Sequence, residues 1–305
     1  MPDRGQARLV QDDLEMLKRR RNPTLPTLPY QGRRIPAAEV SIETFDKVLV
    51  LFDVDGTLLT RTAPLRIAAW NAASASILGV TEMPLVLGPD GFGLCFGIRI
   101  SGMGDLELAH RIVRHSTGTA DGVLARQLVV AETAEYLTRL DEPGVAGVAQ
   151  PGARRFLEAL GSRGARCSVV SGNSRAVSTR KLEAAGVAEL FVGHGAFGDE
   201  GEYRSDMLTV AVARDGAPGD RVCYVADSPR DVTAGRTAGV PVLAVTSGGY
   251  TSTQLAAATY VLENLDDLDL ALAAVAAAAM RVPGMQGGLS ALDSREASAR
   301  RALDK

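Results

Sequence analysis

Two aspartates, Asp53 and Asp55, end an uninterrupted apolar run in the stretch KVLVLFDVDGTLLT. Asp227 and Asp231 follow a second apolar run, RVCYVA. Carboxylates that converge in a buried place repel one another, and a divalent cation removes that repulsion. Mg²⁺ prefers such hard oxygen ligands, so we expect a Mg²⁺ site with Asp53 and Asp227 as its natural pair of ligands. Asp231, one turn further on, and Asp55 are further candidate ligands.

A third apolar run, RCSVV, leads into Ser171, Gly172 and Asn173. The Ser171 hydroxyl is an uncharged donor, and Gly172 allows a ligand to approach the backbone closely. The helix that follows directs its N-terminal amides to the same place, which suits an anion such as phosphate. Taken alone, these three residues also fit an ordinary helix N-cap.

A metal site, an anion site and a free carboxylate together indicate phosphoryl transfer. In this interpretation Asp53 attacks phosphorus and forms an aspartyl-phosphate. Asp55 points elsewhere and serves first as general acid and then as general base. Gly56 allows the chain to turn sharply away from the strand.

The elements that must position these residues alternate between strands and helices. The apolar runs VLVLF, RCSVV, RVCYVA and VPVLAVT are separated by helical stretches. This pattern predicts an α/β fold with a doubly wound parallel sheet, in which ligands bind beyond the carboxyl ends of the strands. We assign residues 46–61 and 148–281 to this core and residues 62–147 to a helical cap inserted after the first strand. Residues 1–45 are predicted to be a poorly ordered N-terminal arm, and 282–305 a flexible C-terminal tail.

The composition is that of an ordinary soluble globular protein. The chain has 305 residues, 46% of them hydrophobic, and a net charge of −3. These values give no sign of a nucleic-acid or membrane partner. The three cysteines lack metal-ligand spacing and predict free thiols in a reducing compartment. We therefore expect a cytoplasmic monomer or homodimer whose partner is a small phosphorylated metabolite.

The segments DVDGTLL, VVSGNS and ADSPRD resemble motifs one, two and four of the haloacid dehalogenase superfamily, in the family's order. The resemblance implies a Rossmann-like core, a Mg²⁺ requirement, Asp53 as nucleophile and Asp55 as acid/base. The aspartate at position 55 resembles the second aspartate of this motif in the phosphatase and phosphomutase branches. The dehalogenases lack that second aspartate. The predicted cap resembles the first-type cap of phosphoglycolate phosphatases and β-phosphoglucomutases. Within this cap, the segment SGMGD, which ends at Asp105, resembles a turn that contacts substrate in those proteins.

The resemblance also implies a third motif, a basic residue that bridges the nucleophile and the phosphate. Lys181, on the helix after SGNS, is one candidate. Arg204, in EYRSD, stands nearer the family's usual position but replaces the usual lysine. We expect Lys181 to form the bridge and Arg204 to contact phosphate or the rim of the site.

The sequence thus predicts a Mg²⁺-dependent phosphatase for a small phosphomonoester. A sugar phosphomutase of the same superfamily would use the same aspartyl-phosphate. A non-catalytic module that binds a phosphorylated ligand would share the fold, but the intact Asp53 and Asp55 pair argues against it. The identity of the substrate depends on the shape of the cap loops, which the motifs do not specify.

Overall fold

The computed structural model describes residues 45–142 and 147–280. Its strands are β1 (Val48–Phe52), β2 (Leu85–Leu87), β3 (Gly93–Cys95), β4 (Ile98–Arg99), β5 (Arg166–Ser171), β6 (Ala196–Phe197), β7 (Arg221–Ala226), β8 (Val242–Val245) and β9 (Tyr260–Leu262). Its α-helices are α1 (Ala63–Leu78), α2 (Asp105–Thr117), α3 (Gly122–Leu140), α4 (Ala153–Ser162), α5 (Arg175–Ala184), α6 (Arg204–Asp215), α7 (Pro229–Ala238) and α8 (Leu268–Met280). The predicted tail at 282–305 and the predicted arm, apart from Phe45, lie outside the described residues.

Six parallel strands form the main sheet, in the order β6-β5-β1-β7-β8-β9. The predicted α/β class with a Rossmann-like parallel sheet is therefore confirmed. β1 lies between β5 and β7, and all three strands point the same way. The three motif-bearing strands thus end side by side at one edge of the sheet.

Both faces of β1 are buried, which explains why its sequence is apolar without interruption. Val48, Val50 and Phe52 pack on one face in a cluster that includes residues of α4 and α8. Leu49 and Leu51 pack on the other face with residues of α6 and α7. Alternate side chains of a strand point to opposite faces, and each fully buried aliphatic side chain contributes about 1.5–3 kcal/mol. The strand that carries the aspartates is therefore firmly anchored.

The chain between β1 and α4 forms a separate group of elements, which we call the insert (residues 62–142). It contains α1, α2 and α3 together with a small antiparallel sheet of β2, β3 and β4. Trp70 lies in an apolar cluster made entirely of insert residues. The small sheet was not predicted, because its strands have only two or three residues each and show no alternating pattern. The assignment of residues 62–147 as a cap stays a prediction.

The helices of the described residues fall short of a membrane span, since none combines sufficient length with sufficient apolar character. This includes the alanine-rich α8, which packs against the main sheet instead.

Candidate active site

A cleft of about 590 Å³ lies between the insert and the carboxyl ends of β1, β5 and β7. Its core side is lined by seven of the predicted site residues: Asp53, Asp55, Ser171, Gly172, Asn173, Arg204 and Asp227. Its opposite side is lined by insert residues that include Arg66, Phe92 and Tyr136. Lys181, Asp105 and Asp231 do not line the cleft but contact residues that do. The fold thus gathers the predicted residues from distant parts of the chain.

The turn after β1 places Asp53 close to Asp227. The backbone N–H of Asp53 continues the ladder by donating to the Val225 carbonyl at 2.9 Å. Gly56 has φ +93°, and a Cβ there would lie 2.5 Å from Oδ2 of Asp227. Thr57 is buried, and its hydroxyl donates to Oδ1 of Asp227 at 3.4 Å. The Gly-Thr pair of the first motif therefore makes room for a carboxylate of the fourth motif and contacts it.

Asp53, Asp227 and Asp231 form a buried group whose candidate ligand oxygens lie within 4.8 Å of one another. Burial raises the pKa of Asp53 well above its usual range, and the neighbouring carboxylates add to the effect while Arg204 opposes it. Burial likewise raises the pKa of Asp227 to about 6, against the Arg61 charge. Three hard oxygen donors that repel one another in this way fit a divalent cation such as Mg²⁺.

The side chain of Asp55, a further predicted ligand, lies outside this group. Nζ of Lys181 contacts Oδ1 and Oδ2 of Asp55 at 2.5 and 2.6 Å, and Nδ2 of Asn173 donates to Oδ2 at 2.6 Å. Burial by itself would raise the pKa of Asp55, but the Lys181 ammonium outweighs it and leaves this pKa below its usual value. Lys181 is fully buried and also donates to the Tyr136 hydroxyl of the insert at 3.2 Å. Asp55 is thus held as a carboxylate.

Arg204, the first residue of α6, is the cation beside Asp53. Its Nη1 lies 3.2 Å from Oδ1 of Asp53, and its Nε lies 3.1 Å from Oδ1 of Asp231. The Val170 carbonyl accepts a hydrogen bond from Nη1 at 2.9 Å. Burial acts to lower the pKa of Arg204, but Tyr224 and these carboxylates outweigh it and raise that pKa. The guanidinium is therefore a permanent positive charge next to the predicted nucleophile.

This pairing differs from the expected one, in which Lys181 contacts Asp53. Asp53 continues the alternation of Leu49 and Leu51, whose side chains face α6. The helix that carries Lys181 packs on the other face, where its Leu182 joins the cluster of Val48 and Phe52. The alternation of β1 therefore turns Asp53 toward Arg204 and away from Lys181.

The predicted phosphate-binding residues differ in their hydrogen-bond partners. Ser171 and Asn173 are buried at the end of β5, and the Ser171 hydroxyl accepts from the Asn173 backbone N–H at 3.2 Å. Asp105 is fully buried at the contact between insert and core. One carboxylate oxygen accepts from the Ser174 backbone N–H at 2.6 Å, and the other pairs with Arg66 at 2.6 Å. Asp105 therefore joins the insert to the core, and its contact with substrate stays a prediction.

Arg61 is the main site residue that the sequence analysis missed. Its guanidinium pairs with Oδ2 of Asp227 and lines the cleft. Its Nη1 also donates to the Ser101 hydroxyl of the insert at 3.2 Å. The sequence feature that could have indicated this role is the position of the arginine, shortly after the first motif, where the chain leaves the core. A single arginine in a connecting segment is common, so that signal is weak without the fold.

Known proteins share both the sequence pattern and the fold. Residues 48–239 match the family described as haloacid dehalogenase-like hydrolase. A phosphoglycolate phosphatase of Rhodospirillum rubrum is 28% identical over 206 residues, which cover 66% of this chain and 80% of that protein.

Solved structures with a similar fold include CbbY from Rhodobacter sphaeroides in complex with phosphate. It has a TM-score of 0.54 and 21% identity, and the match covers 72% of this chain and 95% of that one. A putative beta-phosphoglucomutase from Bacteroides vulgatus has a TM-score of 0.53 and 19% identity, over 78% of this chain and 93% of that one. At such identities the likeness concerns the fold alone.

Proposed function

The chain belongs to the haloacid dehalogenase-like hydrolase family and is a phosphatase, and we propose that it hydrolyses a small phosphomonoester through an aspartyl-phosphate on Asp53. The charged groups around Asp53 support this proposal. Its carboxylate lies 3.2 Å from the guanidinium of Arg204 and belongs to the same buried group as Asp227 and Asp231. A nucleophile beside a fixed cation and within a cation-binding group suits attack on a phosphate dianion.

The first half of the reaction forms the covalent intermediate. A carboxylate oxygen of Asp53 bonds to phosphorus while the bond from phosphorus to the alcohol oxygen breaks. Arg204 lies where it can neutralise charge on the phosphoryl oxygens as they approach Asp53. Mg²⁺ bound by Asp53, Asp227 and Asp231 would supply further charge neutralisation.

Asp55 and Lys181 together handle the proton. Asp55 is a carboxylate and the proton of the pair is on Nζ of Lys181, which contacts it at 2.5 and 2.6 Å. As the alcohol oxygen departs, it takes this proton through Asp55, and Lys181 is left neutral. In the second half a water attacks phosphorus, gives its proton back to the pair, and frees Asp53 and inorganic phosphate. Lys181 acts here only through Asp55, whose charge it balances, because it contacts Asp55 and lies outside the lining of the cleft.

The insert would serve as the cap that separates this chemistry from bulk water. Its residues form one wall of the cleft, and Tyr136 reaches the buried Lys181. The relative from Rhodospirillum rubrum supports a short phosphorylated acid as the first substrate to test. A cytoplasmic location and a monomeric or homodimeric state stay predictions from the sequence.

The test is release of inorganic phosphate from a panel of phosphomonoesters, measured with Mg²⁺ and with EDTA. We expect turnover only with Mg²⁺ and none in Asp53→Asn, since the two side chains have similar shape but an amide is a poor nucleophile. Asp206→Asn, at an exposed carboxylate on α6, is the matched control and should keep wild-type activity. Phosphate release by pure Asp53→Asn protein would contradict the mechanism. Phosphoryl exchange on a sugar without free phosphate would indicate a phosphomutase instead.

A further inference from the structure

The Arg61 guanidinium pairs with Asp227, a carboxylate of the candidate metal site. A metal ion that binds there would therefore have to replace Arg61 as the partner of Asp227. We propose that Arg61 neutralises Asp227 in the metal-free protein, releases it when a divalent cation binds, and then binds the phosphate group of the substrate. The inference rests on the metal site of the proposed function. It assigns a substrate contact to a residue outside the recognised motifs.

The first step concerns Oδ2 of Asp227, the oxygen with which the Arg61 guanidinium pairs. The space around this oxygen is small: a Cβ on Gly248 would lie 1.6 Å from it, and one on Gly56 would lie 2.5 Å from it. The side chain of Asp227 is only 2% exposed. Two cations side by side in so buried a place would repel each other strongly. Arg61 and a divalent cation therefore compete for Asp227.

The second step concerns the position of the released guanidinium. Cζ of Arg61 lies 4.4 Å from the centroid of the Phe92 ring and 5.5 Å from that of Tyr250. These rings and the Ser101 hydroxyl keep the side chain at the wall of the cleft. A partly buried cation that has lost its carboxylate requires another anion, and the anion that enters this cleft is the substrate phosphate. The planar fork of an arginine suits phosphate oxygens.

The other two arginines that line the cleft in the described part of the chain have different partners. Arg204 contacts two carboxylates and a backbone carbonyl. Arg66 contacts Asp105 and, at 3.4 Å, the Met103 carbonyl. Neither has Asp227 as a hydrogen-bond or ion-pair partner. Arg61 is thus the one of these three arginines that pairs with Asp227, and its other polar contact is the Ser101 hydroxyl.

Calorimetric titration of the substrate-free protein with Mg²⁺ tests the first step. If the pair with Asp227 is formed about nine-tenths of the time, Arg61→Gln should bind Mg²⁺ about tenfold more tightly than wild type. Arg61→Lys keeps the charge and should stay closer to wild type. Arg99→Gln is the matched control and should not change the affinity. Arg99 lies over the same Phe92 ring, at 4.2 Å, but pairs with Asp90 outside the metal group.

Titration of the Mg²⁺-saturated proteins with inorganic phosphate tests the second step. Arg61→Gln should bind phosphate at least about tenfold more weakly, because a charge-assisted hydrogen bond is lost. The two effects therefore have opposite signs, whereas loss of a merely structural residue would weaken both. Circular dichroism would establish that each variant is folded.

The outcomes separate this inference from the proposed function. Mg²⁺ binding by wild type with no gain in Arg61→Gln would overturn the exchange and leave the proposed function standing. Unchanged phosphate affinity in Arg61→Gln would overturn the substrate contact. Absence of Mg²⁺ binding in every protein, Arg61→Gln included, would overturn both the inference and the metal site.

Discussion

At the scale of single residues, Asp53 and Asp55 have different cationic partners although one residue separates them. Arg204 contacts the first and Lys181 the second. Burial raises the pKa of Asp53, while Lys181 overcomes burial and lowers that of Asp55. A cation bound by Asp53, Asp227 and Asp231 would favour the ionised form of Asp53. We assign the nucleophile by its place beside Arg204 in this group, and the proton-handling group by its contact with Lys181.

Substitutions of the two cations should therefore have different effects. Arg204→Met should lower kcat by about 10²–10³-fold, because a charge next to the transferred phosphoryl group is lost. Lys181→Met should lower kcat and also move the acidic limb of the pH–rate profile upward. Without the ammonium, burial raises the pKa of Asp55, so its base form is lost at a higher pH. Steady-state kinetics across pH measure both effects.

Arg204→Lys is the conservative control and should recover part of the activity. A fully active Arg204→Met, or a Lys181→Met whose pH profile coincides with wild type, would argue against these assignments. Loss of kcat in Lys181→Met alone, with an unchanged pH profile, would instead support the prediction that Lys181 contacts the nucleophile Asp53.

At the scale of elements, the N-terminus of α2 is capped by the core. The backbone N–H of Asp105 donates to the Gly172 carbonyl at 2.8 Å, and that of Leu106 donates to the Gly198 carbonyl at 2.8 Å. Gly104, the N-cap residue, has no side chain to do this. Free N–H groups at a helix start require such partners. The insert and the phosphate-site loop are therefore positioned together.

Gly172→Ala should disturb this contact. A Cβ at position 172 would lie 2.4 Å from the Met103 carbonyl oxygen, so the insert must shift away from the core. We expect a loss of about 1–3 kcal/mol in the free energy of unfolding, together with reduced phosphate release. Gly161→Ala is the matched control, since a Cβ there meets nothing within 4 Å and alanine favours the helix. Thermal unfolding and activity assays would show the contrast, and a stable, active Gly172→Ala would contradict it.

At the scale of the whole molecule, two apolar clusters cover the main sheet and a third fills the insert. The interior also contains a carboxylate, Glu132 of α3, which is fully buried. Neither of its side-chain oxygens has a hydrogen-bond partner among the described residues. Burial raises the pKa of Glu132 well above its usual range, and Asp105 adds to this. Stability therefore depends on the protonation of this group.

The sign of that dependence follows from the raised pKa. The folded protein holds a proton on Glu132 that the unfolded chain releases above about pH 4.5. The contribution of Glu132 to stability is thus fully present below that pH and is lost as the pH rises toward the folded-state pKa. Glu132→Gln should therefore raise Tm relative to wild type, and more so at pH 7.5 than at pH 5. Glu135→Gln, one turn along α3 at a half-exposed site where the carboxylate pairs with Arg139, is the control. A difference in Tm that does not grow with pH would refute this.

Much of the architecture could be predicted from the sequence, because it depends on local patterns. The uninterrupted apolar run of β1 indicates a strand buried on both faces, and a parallel sheet follows from its alternation with helices. Since parallel strands end at one edge, the gathering of Asp53, Ser171 and Asp227 there was also predictable. The small sheet of β2, β3 and β4 was not, because strands of two or three residues carry no periodic signal.

The pairing of charges was decided by the tertiary structure alone. Arg204 and Lys181 are each far in sequence from the aspartate they contact, and Arg61 is far from Asp227. Strand alternation alone would put Asp53 and Asp55 on the same face, so which cation meets which carboxylate depends on how the chain turns after β1 ends at Phe52 and on how each helix packs against the sheet. The residues near each charge in the chain do not encode this geometry. The sequence by itself therefore determined that its three motifs meet at one site, and the packing of the helices and the insert on the sheet decided which charges pair there and that Arg61 joins them.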